Sequence, residues 1–187
     1  PYGQSLERNF FSTLFLAVTD AMTGGSPRLP LYAMVNQAMR AWVTACDNIL
    51  DDEYKAIFAF TSVGRGLRMR SVLTLLLADR VIGEYAQTFG CAPDEIRLVG
   101  RCSLAALLSS AIQESEEESR PVAVLPPERV MGEIHSRKTA DLFVAPLALP
   151  LAMERVSPER QRLASVGLRQ FGLACQILDD IKDMPDD

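Results

Sequence analysis

Two acidic runs hold the densest chemistry in the sequence. Cys46-Asp47-Asn48-Ile49-Leu50-Asp51-Asp52-Glu53 closes one apolar stretch, and Gln176-Ile177-Leu178-Asp179-Asp180-Ile181-Lys182-Asp183 closes another. Asp47 and Asp51 are four residues apart, as are Asp179 and Asp183, so on a helix each pair projects from one face. Like charges at that spacing repel by about 0.2–0.5 kcal/mol, and the helix dipole disfavours acids at a C-terminal end. The first run alone reads rather better as a solvated helix end than as a metal site. Two such runs facing each other across an antiparallel bundle would form a cage of hard oxygens suited to magnesium. Asp47, Asp51, Asp179, Asp180 and Asp183 are then the expected ligands. Magnesium keeps open positions that it shares with substrate phosphates, so several ions are expected.

The elements that must position these runs are helices. Apolar positions recur at three- and four-residue spacing, and no segment alternates convincingly with period two. Gly24-Gly25-Ser26-Pro27 ends a first helix from about Ser5, and Pro30 starts a second that reaches about Glu53. A third is expected from about Leu67 to Thr88, and a fourth from Pro93 into the run Glu116-Glu117-Glu118. Pro126-Pro127 opens a fifth, bent by Pro146 and Pro150, and Ser157 caps a sixth that ends at Asp183. Short loops between such helices predict an all-α antiparallel bundle forming one domain over residues 1–187. The chain starts at Pro1 and stops close to its second acidic run, which suggests a piece of a longer protein.

The net charge of −5 argues against nucleic acid, which needs a basic face. An anionic substrate would instead have to be recruited through metal ions and a few local cations. Cys46, Cys91, Cys102 and Cys175 show no CxxC spacing and are expected to be buried, reduced thiols in a cytoplasmic protein. No charged-then-apolar leader is evident, and the longest apolar run, Leu142 to Met153, is too short to span a bilayer.

Asp47-Asn48-Ile49-Leu50-Asp51 resembles the first aspartate-rich motif of the trans-isoprenyl diphosphate synthase (polyprenyl synthetase) family, and Gln176 to Asp183 resembles the second, with its preceding Gln. Arg137-Lys138-Thr139-Ala140-Asp141-Leu142-Phe143 is similar to the family's Lys-Thr segment, whose lysine contacts diphosphate. The likeness spans roughly residues 30 to 187. It implies the class I isoprenoid synthase fold, a homodimer, and head-to-tail condensation of an allylic diphosphate with isopentenyl diphosphate, releasing pyrophosphate. Asp47, Asp51, Lys138, Gln176, Asp179 and Asp180 would be catalytic. Three features depart from the family pattern. Asn48 stands where a second Asp is usual, the Arg-Arg-Gly that normally follows is not evident, and the helices expected after the second motif are missing. Gly64-Arg65-Gly66-Leu67-Arg68-Met69-Arg70 instead resembles a basic segment that ordinarily precedes the first motif.

Breaking an allylic carbon–oxygen bond leaves a carbocation and a diphosphate anion, which bridging metal ions would stabilise. Arg65, Arg68, Arg70 and Lys138 would add charge-assisted hydrogen bonds, and Lys55 follows the first motif closely enough to be a further candidate for the same group. A dry apolar pocket would protect the cation. Its tunnel is expected along the second helix, where Val43 shares the face of Asp47 and Trp42 and Met39 limit tail length. His135 lies one turn before Lys138, and a structural or surface role is its default reading. Glu114, Glu117 and Glu118 read as a solvated helix end. The segment from Ala56 to Gly66 and the residues after Asp183 are expected to move until metal and substrate arrive. Two other functions fit the same residues: a class I terpene synthase or head-to-head condensing enzyme, and a non-catalytic partner subunit, for which Asn48 is the best support.

Overall fold

Proline and glycine punctuate this chain, and its elements begin and end where they fall. The computed structural model describes residues 6–52, 55, 66–119 and 125–183, with the side chains of 6–8, 117, 118 and 183 outside that description. Every regular element among the described residues is a helix, so the chain is all-α. In order they are α1 (Leu6–Thr23), α2 (Leu29–Leu50), α3 (Leu67–Thr88), α4 (Pro93–Ser119), α5 (Pro127–Arg129), a π-helix (Val130–Ala140), α6 (Asp141–Val144), a 3₁₀ turn (Ala145–Leu147), α7 (Ala148–Met153) and α8 (Pro158–Asp183). None of them is long and apolar enough to cross a membrane. Gly24 (φ 74°) and Gly90 (φ 91°) terminate α1 and α3 in the left-handed region, where any other side chain is strained.

The fold divides into two compact units, Pro1–Ala17 with Gly25–Arg101 and Val18–Gly24 with Cys102–Asp187. In the first, α2 and α3 run antiparallel. Trp42 Nε1–H donates to the Leu75 carbonyl at 3.0 Å near mid-helix, and Arg68 reaches Asp52 where α2 gives way to α3. Small side chains make up much of what these two helices bury: Ala38, Ala41 and Ala45 on α2 and Ala78 and Ala86 on α3 are buried. Arg28 ties the start of α2 to Glu95 on α4 at 2.6 Å, and Gln37 donates to Ser12 Oγ on α1 at 2.9 Å.

In the second unit α8 runs antiparallel to the winding from Val130 to Val144, since His135 lies beside Asp180, Thr139 beside Gln176 and Asp141 beside Arg169. Ser157 caps α8, receiving the Arg160 and Gln161 backbone N–H groups on its hydroxyl and carbonyl oxygens at 3.4 and 3.0 Å. A Cβ added to Gly172 would come within 2.8 Å of the Phe143 ring, so α8 and α6 touch where α8 lacks a side chain.

Three expectations are corrected in detail. The second helix stops at Leu50 rather than Glu53, because Asp52 turns to φ 54° and breaks the helical ladder. The fifth helix is not one bent rod but a succession of π, α, 3₁₀ and α windings, with Pro146 in the 3₁₀ turn and Pro150 in α7. The cysteines are free as expected, yet Cys46 is exposed and the other three are half-buried rather than in the core. Arg65 and the segments 56–65 and 184–187, where motion is expected, lie outside the described residues.

Candidate functional site

Each acidic run belongs to its own unit, and each has already acquired partners. In the first, Asp47 is half-buried on the last turn of α2, and Asp51, exposed, donates its backbone N–H to the Asp47 carbonyl at 2.8 Å. Asp52 leaves the helix. Its Oδ1 accepts from Arg68 Nε and Nη2 at 3.0 and 2.9 Å. Both side chains are more than seven-tenths exposed, so the pair adds at most about 1 kcal/mol to stability. Its larger consequence is placement, since Arg68 stands against the acidic run. Arg70 is half-buried and bonds Gly66 O through its backbone N–H at 3.2 Å.

Asn48 behaves differently from its neighbours. It is 4 % exposed, its Nδ2 donates to the Lys55 carbonyl at 3.1 Å, and its Oδ1 accepts the Lys55 N–H at 2.8 Å. The amide clasps the backbone of the segment that follows the motif, a pairing that needs both a donor and an acceptor. A carboxylate could supply only the acceptor. Asparagine therefore has a structural reason to occupy this position. Cys46 lies beside the same cluster; partial covering of its sulfur pushes the thiol up, and the Asp47 carboxylate pushes it further. Along α2, Met39 is buried, Val43 is half-buried, and Trp42 has its indole N–H engaged on α3.

In the second unit the Lys-Thr segment and the second acidic run meet. Thr139 Oγ1 donates to Gln176 Oε1 at 2.5 Å, Gln176 Nε2 donates to Asp180 Oδ1 at 2.7 Å, and His135 Nε2 lies 3.0 Å from Asp180 Oδ2. Both oxygens of Asp180 are thus held, one from its own helix and one from the π-helix. Asp179, the next residue, is exposed. Lys138 reaches Glu114 on α4, Nζ to Oε1 2.9 Å, while its carbonyl accepts from Ser110 Oγ at 3.1 Å. Asp141 is gripped by Arg169 at 2.5 Å and by Ser109 at 2.6 Å.

The π winding carries this arrangement: the Asp141 N–H closes on Ser136 O, five residues back. π windings are rare, and their commoner single-turn form is frequent at functional sites. Glu114 and His135 carry no signal of a site in the sequence. Glu114 reads there as part of a solvated helix end, and only the antiparallel packing of α4 on the π-helix shows its lysine partner.

Among the described residues, no three His, Cys, Asp or Glu side chains are gathered closely enough to hold a metal between them. Magnesium does not require that. It is held by one or two carboxylates, with water and substrate phosphate completing the shell. The donors present are hard carboxylate oxygens, and Asp51 and Asp179 are open to solvent, so the residues fit such an ion. No family model matches the chain, and no curated protein or solved structure matches it.

Proposed function

We propose that this protein is a magnesium-dependent prenyl transferase of the trans-isoprenyl diphosphate synthase type, working as a cytoplasmic homodimer. The observation that carries the reading is the string Thr139–Gln176–Asp180. Two segments far apart in sequence, each resembling a motif of one family, are hydrogen-bonded to each other in the second unit. A coincidence of local patterns would not require that.

In this reading the allylic C–O bond breaks, and the diphosphate leaves with the electron pair. The double bond of isopentenyl diphosphate then attacks the allylic carbon, a C–C bond forms, and a proton passes from the neighbouring carbon to the released diphosphate. Magnesium, when bound, neutralises charge on the departing diphosphate. Asp179, Asp180 and Asp183 would hold it in the second unit, and Asp47 and Asp51 in the first. Lys138 supplies a cation to the leaving group once it exchanges Glu114 for phosphate oxygen. Thr139 and Gln176 place polar oxygens beside the reacting end. Arg65, Arg68 and Arg70 are the candidate cations for the second diphosphate, and α2 with Met39, Trp42 and Val43 borders the tail.

The test is pyrophosphate release by the purified protein with magnesium and an allylic diphosphate, with and without isopentenyl diphosphate. Release and a longer product only when both are present support elongation. Release without isopentenyl diphosphate points to cyclisation. No release points to the partner-subunit reading, which Asn48 also favours, because its amide is bound to backbone rather than offered to metal. Asp179→Asn should lower turnover at least about 100-fold, the scale of losing one electrostatic stabiliser of the departing charge.

A further inference from the structure

His135 is the only histidine in the sequence, and the proposed chemistry gives it no task. It is nevertheless held tightly: its side chain is 12 % exposed, and Nε2 lies 3.0 Å from Asp180 Oδ2. A carboxylate only accepts hydrogen bonds, so this contact puts the proton on Nε2. Among the described residues Nδ1 is buried with no hydrogen-bond partner, and Nε2 is the ring nitrogen that is anchored. Gln176 holds the other oxygen of Asp180, and Thr139 holds Gln176. The string therefore begins and ends on the π-helix, at His135 and Thr139, and Lys138 lies between those two anchors.

We propose that His135 is a positioning residue that locks the acidic end of α8 to the π-helix, so that Asp180 and Lys138 are set as one rigid pair. The inference rests on the function proposed above. One end of the pair is an anion beside the metal-facing Asp179, and the other is a cation for the diphosphate. Fixing them together lets metal and diphosphate bind as a couple, each making the other's partner ready. Partners that orient a metal's ligands without touching it typically contribute about 10- to 100-fold in metal affinity. Cutting the His135 contact should thus weaken magnesium-dependent pyrophosphate binding far more than pyrophosphate binding without metal.

Two measurements decide this. The first is long-range proton–nitrogen NMR on the histidine-labelled whole chain without ligands, at mildly alkaline pH. A single resonance pair with the proton on Nε2 and a bare Nδ1 is expected; a proton on Nδ1 overturns the proposal. The second is calorimetric titration of inorganic pyrophosphate with and without magnesium into wild type, His135→Phe and His135→Gln. His135→Phe keeps the ring volume and loses the donor, and should lose about 10-fold or more of the magnesium-dependent affinity. His135→Gln places an amide N–H near the position of Nε2 and should recover most of it. Equal magnesium-dependent binding by wild type and His135→Phe overturns the inference alone. A wild type that binds pyrophosphate no better with magnesium overturns the proposed function, and this inference with it.

Discussion

Asn48 is 4 % exposed, and both ends of its amide are engaged by Lys55. Aspartate at this position keeps an acceptor for the Lys55 N–H but turns Nδ2 into an oxygen facing the Lys55 carbonyl. Two acceptors would then confront each other where a 3.1 Å hydrogen bond now sits. Asn48→Asp should therefore destabilise the fold by about 1–3 kcal/mol, the cost of leaving a buried polar group unmatched. It should leave the magnesium dependence of ligand binding unchanged. Denaturant melts and a magnesium titration of the variant check both halves, and tighter magnesium binding would return position 48 to the metal's ligands. The sequence showed the neutral residue in an acidic motif but not its reason. The partner is a backbone seven residues on, beyond the end of α2, where neither spacing nor residue type marks it. Asp47, Asp51 and Asp179 could be picked out in advance because like charge and helical spacing are visible in one dimension, whereas Lys138 was marked only by its resemblance to the Lys-Thr segment. His135 and Glu114 could not, since each acquires its meaning from a side chain on another helix.

At the scale of elements, α8 passes so close to α6 that a Cβ on Gly172 would meet Cδ2 and Cγ of Phe143 at 2.8 Å and its Cβ at 3.0 Å. Alanine is the better helix former by about 1 kcal/mol, but overpacking a contact of this kind costs about 1–3 kcal/mol. The atoms met include the stem of Phe143, which cannot swing aside. Gly172→Ala should be net destabilising in a denaturant melt, and Phe143→Leu in the same chain should restore part of the loss. Trp42 raises a related question on α2. Its indole N–H is held by the Leu75 carbonyl, so Trp42→Phe should cost about 1 kcal/mol of stability. Any change in product length is better sought with Met39→Ala, read by chromatography of the products; unchanged length would remove Met39 from the tunnel. The helix ends were legible to within a few residues because proline and glycine act locally. Leu67 to Thr88, expected from pattern, is the helix observed. The π winding from Val130 to Ala140 was not legible, because i→i+5 bonding has no residue signature of its own.

For the molecule as a whole, charge decides how an anion can bind. The chain carries −5, and its densest chemistry is acidic, so pyrophosphate alone is repelled by the carboxylates it should meet. Magnesium reverses that sign, and the two should bind together far better than either alone. A ligand that binds only the folded state at a hundred times its Kd stabilises by about 2.7 kcal/mol. For a chain of this size each kcal/mol moves the melting temperature by about 2–4 °C. Magnesium with pyrophosphate should accordingly raise Tm by about 5–10 °C, magnesium alone by much less, and pyrophosphate alone not at all. The experiment is a thermal scan of the unmodified chain under the four conditions, repeated with calcium. Calcium tolerates longer bonds and irregular coordination, so it should stabilise without matching magnesium. Equal shifts from pyrophosphate with and without the ion would mean that cations of the protein alone hold the anion. The acidic runs would then be solvated helix ends, and the chemistry assigned to them would have to lie elsewhere in the chain.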